Sequence, residues 1–303
     1  MFSITSFSFF VFLALAVLVY YCIPSKIRWC WLLISSAIFF VLSSGWEMIP
    51  YLLYGIVVTY TGAWLIQYKC KTDRQRKIVL IITLILTLIE LVVLKYLNFF
   101  IATGNVFGKL FHLNIGLTSL SMIAPIGISY YTLSIIGYVI DVYRQTIAAQ
   151  KNPFKFALFT CYFPQLVSGP ITRYGEMEPQ FFGKRTFDPK RIQFGLERML
   201  WGLFKKLVIS DRLAIIVSTV YADFYNYNGF YILFAVFIFA FRLYADFSGC
   251  MDIVLGASEI FGITLPENFD TPFFSETISE FWRRWHITLG LWSKDYILYP
   301  LLK

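Results

Sequence analysis

The chain has 303 residues, of which 58% are apolar and only 15% are charged. A soluble domain carries about 25% charged residues to cover its surface, so this composition excludes an ordinary water-soluble globule and favours one integral membrane domain. The net charge of +8 comes from 26 Lys and Arg against 18 Asp and Glu. Because these cations lie mainly in short gaps between apolar runs, they indicate orientation in a membrane rather than nucleic-acid binding.

Apolar runs approaching the ~20 residues that cross a hydrocarbon core predict the membrane helices. They cover residues 7–23, 29–42, 51–68, 78–94, 122–142 and 207–220, and a seventh run starts at Phe230. Residues 97–121 are predicted to form a looser outer stretch, and residues 251–261 a separate mixed helix. The basic gaps after the first and third runs predict cytoplasmic loops, which places the N-terminus outside.

One apolar stretch, residues 156–171, is short and is interrupted by Pro164, Gly169 and Pro170. Basic segments flank it on both sides, which predicts a re-entrant element rather than a crossing. Irregular backbone at membrane depth is tolerated only where protein or a water-filled cavity surrounds it.

Two charged residues, Arg242 and Asp246, lie four positions apart inside the seventh apolar run and therefore share a helix face. Charge at that depth usually faces a bundle interior or an aqueous path. The pair is open to two interpretations: a structural ion pair, or a lining of the substrate path.

A helix is predicted to start at Thr277, because Thr277 and Glu280 have the spacing of a capping box. Continued to residue 292, it would present an aromatic and apolar stripe of Trp282, Trp285, Leu289 and Trp292. Arg283 and Arg284 lie beside this stripe, as does His286. From residue types alone, an interfacial amphipathic helix with lipid-facing arginines competes with a functional site built on His286.

The sequence lacks the usual motifs of metal sites and of hydrolases. The chain contains two histidines, and its five cysteines have no ligand spacing, so no metal site is predicted. His112, on the outer stretch, is expected to be structural. No Walker loop, GxGxxG, GxSxG or HExxH motif occurs.

Several motifs resemble the membrane-bound O-acyltransferase (MBOAT) family, in the bacterial branch that acylates alginate and teichoic acid. In this sequence they are LYADFSG at 243–249, LPENF at 265–269 and SEFWRRWH at 279–286, with further matches at 124–130, 140–144 and 163–170. Their number and order extend the resemblance over nearly the whole chain.

The resemblance implies an all-α, polytopic membrane fold that encloses a tunnel, with re-entrant and amphipathic helices. It implies transfer of an acetyl or D-alanyl group from a cytoplasmic thioester, on coenzyme A or an acyl carrier protein, to hydroxyls of an extracytoplasmic polysaccharide or teichoic acid. No bound cofactor is expected. The location implied is a bacterial plasma membrane, and a partner acetyltransferase subunit is a further expected partner.

The resemblance also assigns residues. His286 matches the histidine that ends the family's FWxRWH motif and is the candidate catalytic residue. The residues assigned to donor or substrate binding lie in the matched motifs or beside them: Trp282, Arg283, Arg284, Trp285, Arg242, Asp246, Asp252 and Asn268.

Family members have a second, more nearly invariant histidine, the usual candidate base, some tens of residues beyond FWxRWH, and this sequence ends at Lys303. The sequence is therefore expected to be an incomplete MBOAT domain, with membrane spans in 1–150 and part of the core in 151–303. The alternative functions are a non-catalytic scaffold or transporter for polymer export and, less favoured, a basic lipid-binding protein.

Overall fold

The chain is mainly helical in the part that this computed structural model describes, residues 2–110, 118 and 124–302. Within those residues no strand forms beyond an isolated bridge between Phe269 and Trp285, which confirms the all-α prediction. The helices are α1 Phe7–Cys22, α2 Arg28–Ser44, α3 Ile49–Tyr68, α4 Asp73–Leu91, α5 Leu97–Leu110, α6 Ile128–Tyr143, α7 Pro153–Cys161, α8 Phe163–Leu166, α9 Tyr174–Phe182, α10 Pro189–Leu203, α11 Asp211–Ala222, α12 Gly229–Ile260, α13 Ile278–Arg284, α14 Ile287–Ser293 and α15 Tyr299–Leu301.

Four described helical segments are long and apolar enough to cross a membrane: Ser25–Ser44, Trp46–Tyr68, Asp73–Phe107 and Gly229–Ile260. They confirm the second, third, fourth and seventh predicted spans. The first run forms α1, which is apolar but only 16 residues long. The fifth run forms α6, of 16 residues, and part of its predicted start lies outside the described residues.

The sixth predicted run, 207–220, is helical and forms the C-terminal part of a longer helix. A π-helical segment, Phe204–Ser210, joins α10 to α11 without a break. The joined helix carries four charges within eight residues, Lys205, Lys206, Asp211 and Arg212. Because of these charges, the joined helix is less apolar than the four membrane-spanning segments. Lys205 and Lys206 also form ion pairs with residues of α12.

Two predicted boundaries were wrong. Residues 97–110 are helical rather than loose, because a π-helical turn at Val92–Tyr96 carries α4 directly into α5 and no proline interrupts the sequence there. The remainder of that stretch, including His112, lies outside the described residues except for Thr118. The residues predicted as a separate helix at 251–261 form the C-terminal third and the C-cap of α12, a single helix of 32 residues that runs through Gly249.

Helix α12 continues through Gly249, and at this residue the backbone of α10 packs directly against the backbone of α12. A Cβ on Gly202 of α10 would lie 2.6 Å from the carbonyl oxygen of Gly249, and one on Gly195 would lie 2.7 Å from that of Gly256. Small residues seven positions apart on both helices thus allow the two backbones to touch. This contact brings the basic residues of the α10–α11 helix against α12.

We expect Gly202→Ala to lower the free energy of unfolding by about 1–3 kcal/mol, because the added methyl overpacks a backbone contact that cannot yield. Thermal unfolding in detergent micelles measures this. Gly229→Ala is the matched control, since a Cβ on Gly229 meets no atom within 4 Å. Equal melting temperatures for the two variants would contradict the close helix contact.

The stretch predicted to be re-entrant, 156–171, is broken as expected and lies inside the protein. Helices α7 and α8 meet at Tyr162, and the side chains of Phe159, Tyr162 and Phe163 are fully buried. The backbone N–H of Phe163, freed by the break, donates to the hydroxyl oxygen of Ser36 at 3.0 Å. Surrounding protein therefore supplies the partner that irregular backbone at such a depth requires.

Candidate functional site

The helix predicted over 277–292 is two short helices. Thr277 caps α13 as predicted, accepting the N–H of Glu280 at 3.1 Å. The helix ends at Arg284; Trp285 is extended, and His286 has left-handed backbone angles, φ +45° and ψ +54°. The predicted single stripe of Trp282, Trp285, Leu289 and Trp292 is therefore wrong.

Pairing with the loop that follows α12 causes this break. The N–H of Asp270 donates to the carbonyl of Arg284, and the N–H of Ile287 donates to the carbonyl of Asn268, each at 3.0 Å. These bonds flank His286 on both sides. Tertiary hydrogen bonds thus override a local pattern that favoured a continuous helix.

The imidazole of His286 lies edge-on to the ring of Phe247 on α12, with 4.9 Å between ring centroids. It is half-buried, and its Nδ1 is buried without a hydrogen-bond partner in the described part of the chain. Burial disfavours the imidazolium and lowers the pKa of His286 below its usual value. A neutral imidazole at neutral pH is the form that can accept a proton.

Three of the sequence motifs meet at this histidine. Phe269 of the loop contacts Phe247 and Trp285, with centroids 5.0 and 5.1 Å away. Trp285 stacks on Phe281 at 5.6 Å and lies 6.1 Å from Tyr244 of α12. An aromatic cluster thus joins α12, the loop and α13.

The arginine and tryptophan residues assigned to donor binding divide into two groups. Trp282 is 62% exposed and Arg283 is exposed, so both are accessible to a ligand. Arg284 is held by Glu280 on its own helix at 2.6 Å, and Trp285 belongs to the aromatic cluster.

The ion pair suggested by the spacing of Arg242 and Asp246 does not form. Asp246 pairs with Lys206 at 2.6 Å, and Lys206 also contacts Asp211 at 3.0 Å. No described residue forms an ion pair with Arg242. The sequence did not predict Lys206 as the partner, because the close crossing of α10 and α12 is a tertiary feature.

Asp252, one of the assigned residues, is the centre of a buried charge cluster. It accepts from Arg198 at 3.0 Å and pairs with Lys205, and Arg198 also holds Glu267 through two hydrogen bonds of 2.7 and 2.5 Å. Glu267 precedes Asn268, so the cluster fixes one end of the loop. Arg198, Lys205 and Glu267 were missed as site residues; their only sequence signal was charge next to apolar runs.

Asn268 is completely buried, and its side-chain oxygen accepts from both the N–H and the hydroxyl of Thr288, at 3.0 and 2.6 Å. Its amide nitrogen lies 3.2 Å from the sulfur of Met251. These contacts place Asn268 inside the framework that supports His286, away from any exposed binding surface.

A cavity of about 1190 Å³ lies away from His286, among residues at the end of α6 and near the C-terminal helix α15. The sequence analysis places the end of α6 on the cytoplasmic side. Arg144, Arg173, Asp141, Asp295 and Tyr296 contribute to its lining, and His286 does not. Arg173 pairs with Asp295, and the hydroxyl of Tyr296 donates to Asp141 at 2.8 Å. Arg144 also donates to the backbone carbonyl of Asp295 at 3.0 Å, so these four charged residues of the lining already have partners.

Helices of membrane-spanning length, a buried break and a half-buried histidine beside arginine and tryptophan define the protein as an all-α integral membrane protein with a candidate acid–base site. The model of the membrane-bound O-acyltransferase family matches residues 143–303, slightly more than half of the chain. The chain belongs to this family.

The names of similar proteins describe acyl transfer to alginate, peptidoglycan or teichoic acid. The chain is 33% identical to a protein named probable alginate O-acetylase AlgI of Pseudomonas syringae pv. tomato, over 96% of the chain and 56% of that protein. It is 32% identical to a peptidoglycan O-acetyltransferase of Helicobacter pylori, over 89% and 55%. It is 27% identical to a teichoic acid D-alanyltransferase of Streptococcus thermophilus, over 60% and 45%. The chain thus spans about half the length of these relatives.

Proposed function

We propose that this protein is, or is part of, a membrane O-acyltransferase that moves an acetyl or D-alanyl group from a cytoplasmic thioester to hydroxyls of an extracytoplasmic polymer. Family membership and the names of the relatives support the reaction class. The observation that carries the proposal is the convergence of α12, the loop at 265–270 and the α13–α14 break on the imidazole of His286.

His286 would act as the general base. The acceptor hydroxyl oxygen attacks the thioester carbonyl carbon while the imidazole takes the hydroxyl proton. Collapse of the intermediate breaks the carbon–sulfur bond, and the proton passes to the departing thiolate. The products are an ester and a free thiol, so atoms and charge balance without a bound cofactor.

The donor would be acetyl-coenzyme A or an acyl carrier protein, both of which carry phosphate. The accessible Arg283 and Trp282 suit its approach, because guanidinium binds phosphate and an indole offers apolar contact. The remaining assigned residues would support the site indirectly: Asp246 and Asp252 through ion pairs, Arg284 and Trp285 by shaping α13. Within the described residues, no contact assigns a role to Arg242.

The four apolar helices fit a multi-pass protein of a bacterial plasma membrane, with the donor inside and the polymer outside. A partner acetyltransferase subunit and membrane lipids complete the proposed set of partners.

The test is thiol release from a labelled thioester by proteoliposomes that contain the protein, with soluble polysaccharide or teichoic acid as acceptor. We expect thiol and polymer-bound label in equal amounts, with either acetyl-coenzyme A or the D-alanyl carrier as donor. Movement of polymer across the membrane without any thiol release would instead establish the transporter alternative.

A further inference from the structure

We infer that Asn268 and Thr288 are positioning residues that hold the imidazole of His286 in its reactive place. The inference rests on the proposed function for its catalytic consequence, although the geometry stands without it. Neither side chain is accessible to a donor or acceptor, since Asn268 is completely buried and Thr288 is 5% exposed.

The hydrogen bonds around Asn268 allow only one orientation of its side-chain amide. A backbone N–H can only donate, so the N–H of Thr288 fixes the oxygen of the Asn268 amide as its acceptor. The Thr288 hydroxyl donates to that same oxygen and accepts the N–H of Ile171 at 3.0 Å. The hydroxyl thus links the loop after α12 to the end of the broken segment.

His286 needs such support because its backbone is in a region that a residue with a Cβ rarely adopts. Left-handed angles cost a residue other than glycine free energy and persist only where the surroundings enforce them. Asn268 does so from two atoms: its carbonyl takes the N–H of Ile287, and its side chain takes both donors of Thr288. Those are the two residues that follow His286.

On the elements around His286, Asp246 pairs with Lys206, Asp252 with Arg198 and Arg284 with Glu280. Arg242 on α12, Arg283 on α13 and Asp270 in the loop form no ion pair within the described part of the chain. Burial, which includes the contact with Phe247, is the main influence on the pKa of the imidazole. If the anchors were lost, the backbone would relax towards ordinary angles and the ring would move into water.

The experiment measures carbethoxylation of His286 by diethyl pyrocarbonate as a function of pH. The reagent modifies neutral imidazole, and His112→Gln leaves His286 as the sole histidine of the chain. In this background we expect a midpoint below the ordinary value of about 6.5. Thr288→Val should raise the midpoint towards 6.5 and speed modification, because the ring becomes accessible.

Further variants separate positioning from general damage. Thr288→Ser retains the hydroxyl and should behave as the parent; Thr288→Ala and Asn268→Ala should behave as Thr288→Val. Thr160→Val is the matched control, since Thr160 is also a buried threonine with a bonded hydroxyl; this hydroxyl donates to the backbone carbonyl of Phe156 within α7, far from the contacts of Asn268. It should leave the midpoint unchanged.

In acyl transfer by the protein, we expect Thr288→Val to lower kcat tenfold or more with little change in KM for the donor. A midpoint unmoved in Thr288→Val and Asn268→Ala, or moved equally by Thr160→Val, would overturn the inference. Movement of the midpoint in a protein that shows no acyl transfer would refute the proposed function alone.

Discussion

His286→Gln is expected to reduce the rate of acyl transfer by about 10²–10⁴-fold, the usual contribution of a positioned general base. Glutamine approximates the size of imidazole and retains polar atoms, but it cannot take the hydroxyl proton. The rate is measured as label transferred to polymer, with the amount of folded protein checked by size-exclusion chromatography in detergent.

The control is His112→Gln, which removes the other histidine of the chain and is expected to leave the rate unchanged. The pH dependence gives a second check. Because burial lowers the pKa of His286, the neutral base persists below pH 6.5, and the rate should fall only as pH decreases through that lowered value. A rate that survives His286→Gln would reduce this residue to a packing role.

Asp252→Ala is expected to lower the free energy of unfolding by about 3–5 kcal/mol, the cost of leaving a buried charge without its partner. The side chains of Asp252 and Lys205 are each only 12% exposed. Arg198 would retain Glu267, but Lys205 would lose its only acidic partner in the described part of the chain. Thermal or denaturant unfolding in detergent measures the loss.

Two comparisons make this result specific. Asp73→Ala removes a carboxylate that is 97% exposed and pairs with Arg76, so unfolding should be unchanged within error. Combining Asp252→Ala with Lys205→Met removes both members of the buried pair and should recover part of the loss. Strict additivity of the two single effects would show that the pair is not coupled.

Structural features that depend on the residues of one short segment were predicted well from the sequence. Apolar length gave the spans of α2, α3, α4 and α12, and Pro164 indicated the break between α7 and α8. The cap at Thr277 also formed, because a side-chain oxygen and an N–H three residues away are enough to define it.

The partners within the candidate site were predicted less well. Spacing suggested Arg242 for Asp246, whereas the partner is Lys206, forty residues away in sequence. Spacing also suggested one helix through His286. The structure interrupts it there, because hydrogen bonds to the loop at 268–270 replace those of a continuing helix.

By itself, the sequence determined that this is a helical membrane protein with a motif-bearing histidine near arginine and tryptophan, because composition and local pattern govern those properties. Only the tertiary structure decided how that histidine is held. The contact of Gly202 with Gly249 sets which charges meet, and the bonds of Asn268 to Ile287 and Thr288 set the backbone of His286. Both depend on contacts between different segments of the chain, a close backbone approach in the first case and hydrogen bonds in the second, which no local pattern encodes.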